Sequence, residues 1–345
     1  RVLQQMRQEC GVGWGVKKLR QFSSAIAADL TVHQQDAQVE QILQWLREAE
    51  QSRGQHKPLL WVGRDGVTLG IRYKKCCLFE VATAATVSVL DRRGKRLGTV
   101  YLAYAPELGQ QTMSTALTKL LQEILRRWNG SLPRLCYVSD AGKSEVGYYQ
   151  KALARMKHPL TGEVLKWERV VDYYHASQRV WRLAKILFGK KKQGRSWARK
   201  MLRWMLRKAG GVNRVLHSAA ALRDRTNLSA KKREKFDKAY QYLRKRMKYM
   251  RYDEYKRLGM PRGSGVTEAA CKTVYGQRLK LSGMRWKKPG AQTILNQRVL
   301  RLSGVWEAAF TRMLEAREQP QVTINKAHIM GGQAVMNREN AKMAA

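Results

Sequence analysis

PLLWVGRDGVTLGIRYKKCCLFEVATAATVSVLDRRGKRLGTVYLAY, residues 58–104, alternates apolar runs with short polar turns. Leu59 to Val62 and Val67 to Ile71 read as extended chain around Asp65-Gly66. Phe79 to Leu90 is rich in Val, Ala and Thr, the turn Asp91-Arg92-Arg93-Gly94-Lys95 follows, and Leu97 to Tyr104 resumes the pattern. Such runs joined by short connections predict three consecutive antiparallel strands. Towards the C-terminus, Leu117, Leu120, Leu121 and Ile124 mark one face of a helix over 111–128. Arg134 to Val138 reads as a short buried strand ending at Ser139-Asp140, Glu145 to Met156 as a helix, and Trp167 to Val171 as a strand ending at Asp172. The expected fold class is therefore α/β, in the order β-β-β-α-β-α-β, with helices on a mixed sheet.

On the N-terminal side, residues 1–57 are polar and Gln-rich, with Val39, Ile42, Leu43 and Leu46 at helical spacing. They are expected to form a helical lead-in. From 179 to 258 only helical segments are legible. Residues 179–257 carry 27 Lys and Arg against five acids. Trp181, Leu183, Leu187, Trp197, Leu202, Trp204 and Leu206 give this segment its own core, so a folded helical insertion with a basic face is expected rather than a tail. Residues 259–310 return to the core, and 311–345 read as a fraying helix and a weakly structured end.

The whole chain, 345 residues, has a formal net charge of +41. An excess of this size repels itself unless a polyanion is near, and nucleic acid is the natural counter-charge. No apolar run of about 18 residues and no lipidation motif points to a membrane. Cys10, Cys76, Cys77, Cys136 and Cys271 are odd in number and lack CxxC pairs, which argues against a disulfide framework or a zinc site and fits the cytoplasm. No secretory leader is legible, and a start at Arg1 rather than Met suggests a piece of a longer product.

In so basic a chain, acids in apolar or Gly-rich settings stand out. Asp65 precedes Gly66, Asp140 precedes Ala141-Gly142 at a strand end, and Glu268 follows Gly263-Ser264-Gly265 as the sole acid between Arg262 and Leu302. Small neighbours let a phosphate backbone come close. The strand order predicts that the first and fourth strands are neighbours, bringing Asp65 and Asp140 together, with Glu268 arriving on a later helix. Three carboxylates at one point require cations, and hard oxygen ligands select Mg²⁺ or Mn²⁺, in a pair suited to in-line phosphoryl transfer. Singly, each acid has an ordinary reading: Asp65 in a turn, Asp140 as a helix cap, Glu268 as a first-turn charge on the helix dipole.

Asp172-Tyr173-Tyr174-His175 opens the helical insertion. Asp172 and His175 are expected to hold the insertion against the core, the other option being hydrogen bonds to a metal ligand. His33, His56, His158, His217 and His328 show no metal-ligand spacing. After Glu268, Lys272, Arg278, Arg285 and Lys287 offer phosphate contacts. Trp286 reads equally as a base-stacking platform and as a core residue.

The stretches GSGVTEAACKTVYGQRLKLSGMRW (263–286) and VVDYYHASQRVWRLAKILFG (170–189) closely resemble insertion-sequence transposases of the ISKra type, within the DDE group. The resemblance, covering about 59–306, implies a ribonuclease-H-like core, β-β-β-α-β-α-β-α, with the helical insertion placed before the last catalytic helix. It implies Asp140 of YVSDAG as the second catalytic aspartate, Glu268 as the glutamate, Asp65 as the first aspartate, and DYYH as the D-x-x-H element. Arg64 departs from the pattern, standing where a small or apolar residue is usual, and no helix-turn-helix or zinc module is evident near the N-terminus. The implied activity is metal-dependent cleavage and strand transfer of an element by a homodimer or larger assembly on double-stranded DNA, transposon ends and target alike, in the cytoplasm at the nucleoid. The competing expectation is a catalytically inactive, truncated derivative that only binds DNA.

Overall fold

A computed structural model describes residues 2–318, without the side chains of Val2 and Glu318. Helices α1 (Val2–Cys10) and α2 (Val16–Gln51) lead into three strands, β1 (Leu59–Arg72), β2 (Cys77–Leu90) and β3 (Arg96–Tyr104). Then come α3 (Gln111–Arg127), β4 (Arg134–Ser139), α4 (Lys143–Lys151) and β5 (Trp167–Val171). The sheet order is β3-β2-β1-β4-β5. β2 runs antiparallel to β1 and β3, while β1, β4 and β5 run parallel. The expected α/β class and strand order are found. Asp65-Gly66 is no turn: β1 runs unbroken through it, pairing Asp65 with Ala84.

β1 from Leu59 to Arg64 and β4 from Leu135 are buried on both faces, and the two-residue period of a strand sends alternate residues to opposite layers. Leu60 and Val62, with Val87, Val89, Val100 and Leu102, pack beneath α2, α3 and α4. Leu59 and Trp61, with Cys136, Val138 and Val170, pack on the other face against the later helices. The N-terminal segment is more than a lead-in, because Val39, Ile42, Leu43, Leu46 and Ala49 of α2 are all part of the first layer's core. The helical spacing was legible; its docking on the sheet is a long-range fact.

From Tyr173 to Arg257 the regular elements are helices: α5 (Tyr173–Phe188), α6 (Lys192–Arg207), α7 (Gly211–Asp224), α8 (Ala230–Arg246) and α9 (Tyr252–Arg257). The boundary expected at 178/179 falls inside α5, which starts at Tyr173 because the Asp172 side chain caps it. The chain returns through α10 (Gly265–Ala270), a π-helical turn (Cys271–Gly276), α11 (Gln277–Leu279), α12 (Lys288–Leu302) and α13 (Trp306–Glu318). Residues 311–318 continue α13, whose Ala309 and Met313 are buried with Leu30, Ala37, Leu300 and Val305 rather than fraying. Residues 319–345, which hold His328 and most of the expected weakly structured end, lie outside the described residues. Among the described residues no helix is long and apolar enough to cross a membrane.

Candidate active site

The β1–β4 ladder runs from Leu59↔Arg134 to Gly63↔Val138. Two residues further along each chain stand Asp65, midway along β1, and Asp140, just past the end of β4, so the register sets them side by side. Glu268 reaches them because Gly63 has no side chain. A Cβ there would overlap Thr267 Oγ1 and lie 2.9 Å from Thr86 Oγ1. Without it, Thr267 settles onto the strand and exchanges a 2.8 Å hydrogen bond with Thr86. Gly63→Ala should therefore push α10 away, lowering stability by about 1–3 kcal/mol through overpacking. Thermal unfolding with and without Mg²⁺ checks this: the variant should melt lower and lose most of any Mg²⁺-induced gain.

The Asp65 carboxyl titrates above its usual range because burial penalises its charge. A 2.7 Å hydrogen bond from the Gly66 N–H pulls the other way, while the like charges of Asp140 and Glu268 add to the rise. The Cys271 Sγ lies 3.6 Å from Asp65 Oδ2, and burial beside that carboxylate pushes the thiol up. All five cysteines are free. Among the described residues, no Lys or Arg comes within 4.0 Å of the carboxylates of Asp65, Asp140 or Glu268; His175 alone comes within that distance, of Glu268.

The turn after β4 is held from both sides. Asp140 Oδ1 accepts the Gly142 N–H at 2.8 Å, and Ala141 adopts φ 61°, a left-handed conformation costly for a residue with a Cβ. Helix α8 secures it: the Tyr242 hydroxyl donates to the Asp140 carbonyl at 2.7 Å, and Arg246 Nη2 donates to the Ala141 carbonyl at 3.2 Å. The helical block thus braces a catalytic candidate directly. A fourth carboxylate, Glu145, is buried in the first turn of α4, where a Cβ on Gly142 would overlap its Oε2. Burial, then the charges of Asp140 and Asp65, push its pKa up, with Arg64 opposing. In the sequence Glu145 marks only the start of a helix. Its five-residue spacing from Asp140 was the available signal.

Asp172 is 1% exposed and fully hydrogen-bonded. Oδ1 accepts the N–H groups of Tyr174 and His175, the latter at 3.2 Å, and Oδ2 accepts the Ser264 N–H at 2.6 Å and the Ser264 hydroxyl. Burial pushes this carboxyl up, but His175 and the Ser264 bonds outweigh it and hold it at about 2. The Ser264 hydroxyl also lies 3.0 Å from Glu268 Oε1. Asp172 therefore ties the start of α5 to the loop that presents Glu268, the docking role expected of it. His175 Nδ1 stands 3.9 Å from Asp172 Oδ1 and 3.8 Å from Glu268 Oε1, beyond hydrogen-bond range. Attraction to Asp172 raises the His175 pKa, against burial.

Among the described residues, the set whose potential ligand atoms all lie within 4.8 Å of one another is Asp172, His175 and Glu268. Asp65 senses the charges of Asp140 and Glu268, but the three do not close to that distance as a trio. Both oxygens of Asp172 already accept hydrogen bonds, so it is the weaker donor of the two arrangements. Asp65 Oδ2 and Asp140 Oδ2 carry no backbone bond and are the freer hard-oxygen donors.

Beyond Glu268, the π-helical turn widens the helix, and Arg298 of α12 donates to the freed carbonyls of Val274 (2.9 Å) and Thr273. Lys272, Arg278, Arg285 and Lys287 are exposed. Trp286 is half-buried against Ile71 and its neighbours. Its Nε1 donates to the Leu279 carbonyl at 3.0 Å, its backbone pairs with Gly70 and Arg72, and Arg278 lies 5.8 Å from its ring. The core reading of Trp286 has the stronger support. Compared with models of known families and with curated proteins, the chain matches none.

Proposed function

We propose that this chain is the catalytic part of a DDE transposase of a bacterial insertion sequence, built on a ribonuclease-H-like core. The observation that carries the reading is the gathering of Asp65, Asp140 and Glu268, from two neighbouring parallel strands and one helix, with no Lys or Arg among the described residues in ion-pair contact with them, in a chain of +41. Like charges so placed favour a divalent cation, and hard carboxylate oxygens fit Mg²⁺ or Mn²⁺, as one ion or two. Bound there, such ions would supply charge stabilisation for in-line displacement at phosphorus. Asp65, Asp140 and Glu268 are the proposed ligands, and Asp172 with Ser264 positions the Glu268 loop. The 30% exposed His175 stands 3.8 Å from Glu268 Oε1. Lys272, Arg278, Arg285 and Lys287 lie downstream of Glu268, placed to meet phosphates. The substrate is double-stranded DNA, transposon ends and target, held by a homodimer or larger assembly at the nucleoid.

The test is cleavage of DNA carrying the element's ends and flanks. The expected result is Mg²⁺-dependent cutting at the ends that leaves 3′-hydroxyls; no cutting by the full-length parent counts against the enzyme.

Helix α6 supports the DNA reading separately. Lys192, Arg195, Arg199, Lys200, Arg203 and Arg207 are all exposed on it, and its first turn contains no acid. Reversing Lys190, Lys191, Lys192, Arg195, Arg199 and Lys200 should flatten the dependence of log K on log salt for duplex DNA, by about 0.9 per lost phosphate contact. An unchanged slope in a fluorescence-anisotropy titration would place the duplex elsewhere.

A further inference from the structure

Strand β1 carries Asp65 on one face of the sheet and Arg64 on the other. Arg64 is 2% exposed. Its Nη1 donates to Ser114 Oγ at 3.0 Å, its Nη2 to Gln110 Oε1 at 2.7 Å, and its guanidinium lies 4.9 Å from the Tyr148 ring. These partners are neutral. The Nε has no partner, and among the described residues no carboxylate pairs with the group. Glu145 is near enough to sense its charge but makes no ion pair with it. A buried guanidinium without an ion pair is costly, and an arriving anion would offset that cost.

Arg64 lies at the base of an open groove of about 1180 Å³ between α3 and α4. None of the residues lining it is acidic. Lys119, Lys143 and Lys151 stand exposed along it, and Arg246 closes the end where Ala141 leaves Asp140. The groove follows α3 from Gln111 to Gln122, about 16 Å at the helical rise. That length covers several phosphates of a strand, far more than one free ion would fill. Spread over that length, the groove's volume leaves a channel narrower than a DNA duplex and wide enough for one backbone.

We propose that this groove seats the sugar-phosphate backbone of a single DNA strand leading to or from the Asp140 end of the carboxylate site. The inference rests on the transposase reading for its substrate, not for its geometry. Binding there is sequence-independent, because the cations and the hydroxyls and amides of α3 and α4 meet phosphate and sugar rather than base edges.

The test uses the full chain and a fluorescent single-stranded oligonucleotide, titrated at several salt concentrations. Arg64 is left alone, since replacing so buried a group endangers folding. Lys119→Glu with Lys151→Glu should weaken binding at least about tenfold and reduce the salt slope by about 1.4, two single-strand phosphate contacts. Lys17→Glu with Arg20→Glu, an equal charge change on α2, should have a much smaller effect. Equal losses in the two double variants would overturn the groove. Displacement of the strand by inorganic phosphate at matched phosphate concentration would also overturn it, in favour of a free-ion site. Selective loss in the groove variant of a chain whose parent never cuts DNA would support the groove and remove the transposase reading. Normal cutting with unchanged strand binding would do the reverse.

Discussion

Asp140→Ala and Glu268→Gln should each reduce Mg²⁺-dependent cleavage of element-end DNA by a factor on the order of 10³ or more, since ion-held charge stabilisation contributes several kcal/mol. DNA binding at fixed salt should stay the same or tighten slightly, because each change removes a negative charge from a surface that meets phosphate. Nicking gels and anisotropy on the same preparations separate the two effects. Both variants should keep the fold: Glu268 is partly exposed, and the carbonyls of Asp140 and Ala141, which Tyr242 and Arg246 grip, survive replacement of the Asp140 side chain. Normal cleavage by a full-length parent with both residues replaced would leave a DNA-binding protein as the better reading.

Asp172→Asn should behave differently, with a large loss of stability and a smaller direct effect on chemistry. The amide keeps one acceptor oxygen where the carboxylate uses two, so either the cap of α5 or the clasp on Ser264 is lost inside a buried pocket. Losing charge-assisted bonds there costs about 2–4 kcal/mol. Its pH dependence has a definite sign. Because the folded carboxyl titrates at about 2, below the usual 3.8, its contribution is fully present above about pH 4 and is lost as pH falls towards 2. Denaturant unfolding of the wild type should show that loss, and the Asn variant should show less of it. An equal acid response in both would place the sensitivity in other carboxylates.

Much of this architecture was legible because it rests on local pattern. Alternation along 58–104 forces strands, and the β-β-β-α-β order makes β1 and β4 neighbours, which sets Asp65 beside Asp140. The docking role of Asp172 was legible from its place at the entrance to the insertion; its cap on α5, which moves the helix start back to Tyr173, was not. What escaped were side chains whose role is set by distant partners. Arg64 interrupts an apolar run as though it broke the pattern, yet the strand sends it to neutral acceptors at the start of α3, Gln110 just before the helix and Ser114 in its first turns. Glu145 resembles any first-turn acid until α4 folds back over Asp140. The contact of Thr267 with Gly63, and the Arg298 clasp on the π-helical turn, join residues more than twenty positions apart and leave no periodic trace. Trp286 could not be assigned from sequence because a stacking platform and a core indole share the same flanking cations.

The central claim is that Asp65, Asp140 and Glu268 share one divalent-ion site, and iron-mediated backbone cleavage tests it without a DNA substrate. Fe²⁺ replacing Mg²⁺ under ascorbate and peroxide cuts the chain next to where it is held. The expected fragments end near residues 65, 140 and 268, fade as Mg²⁺ is added, and vanish in Asp140→Ala. Cuts confined to 172–175 and 268, persisting in Asp140→Ala, would place the ion on Asp172, His175 and Glu268 and contradict the three-carboxylate site.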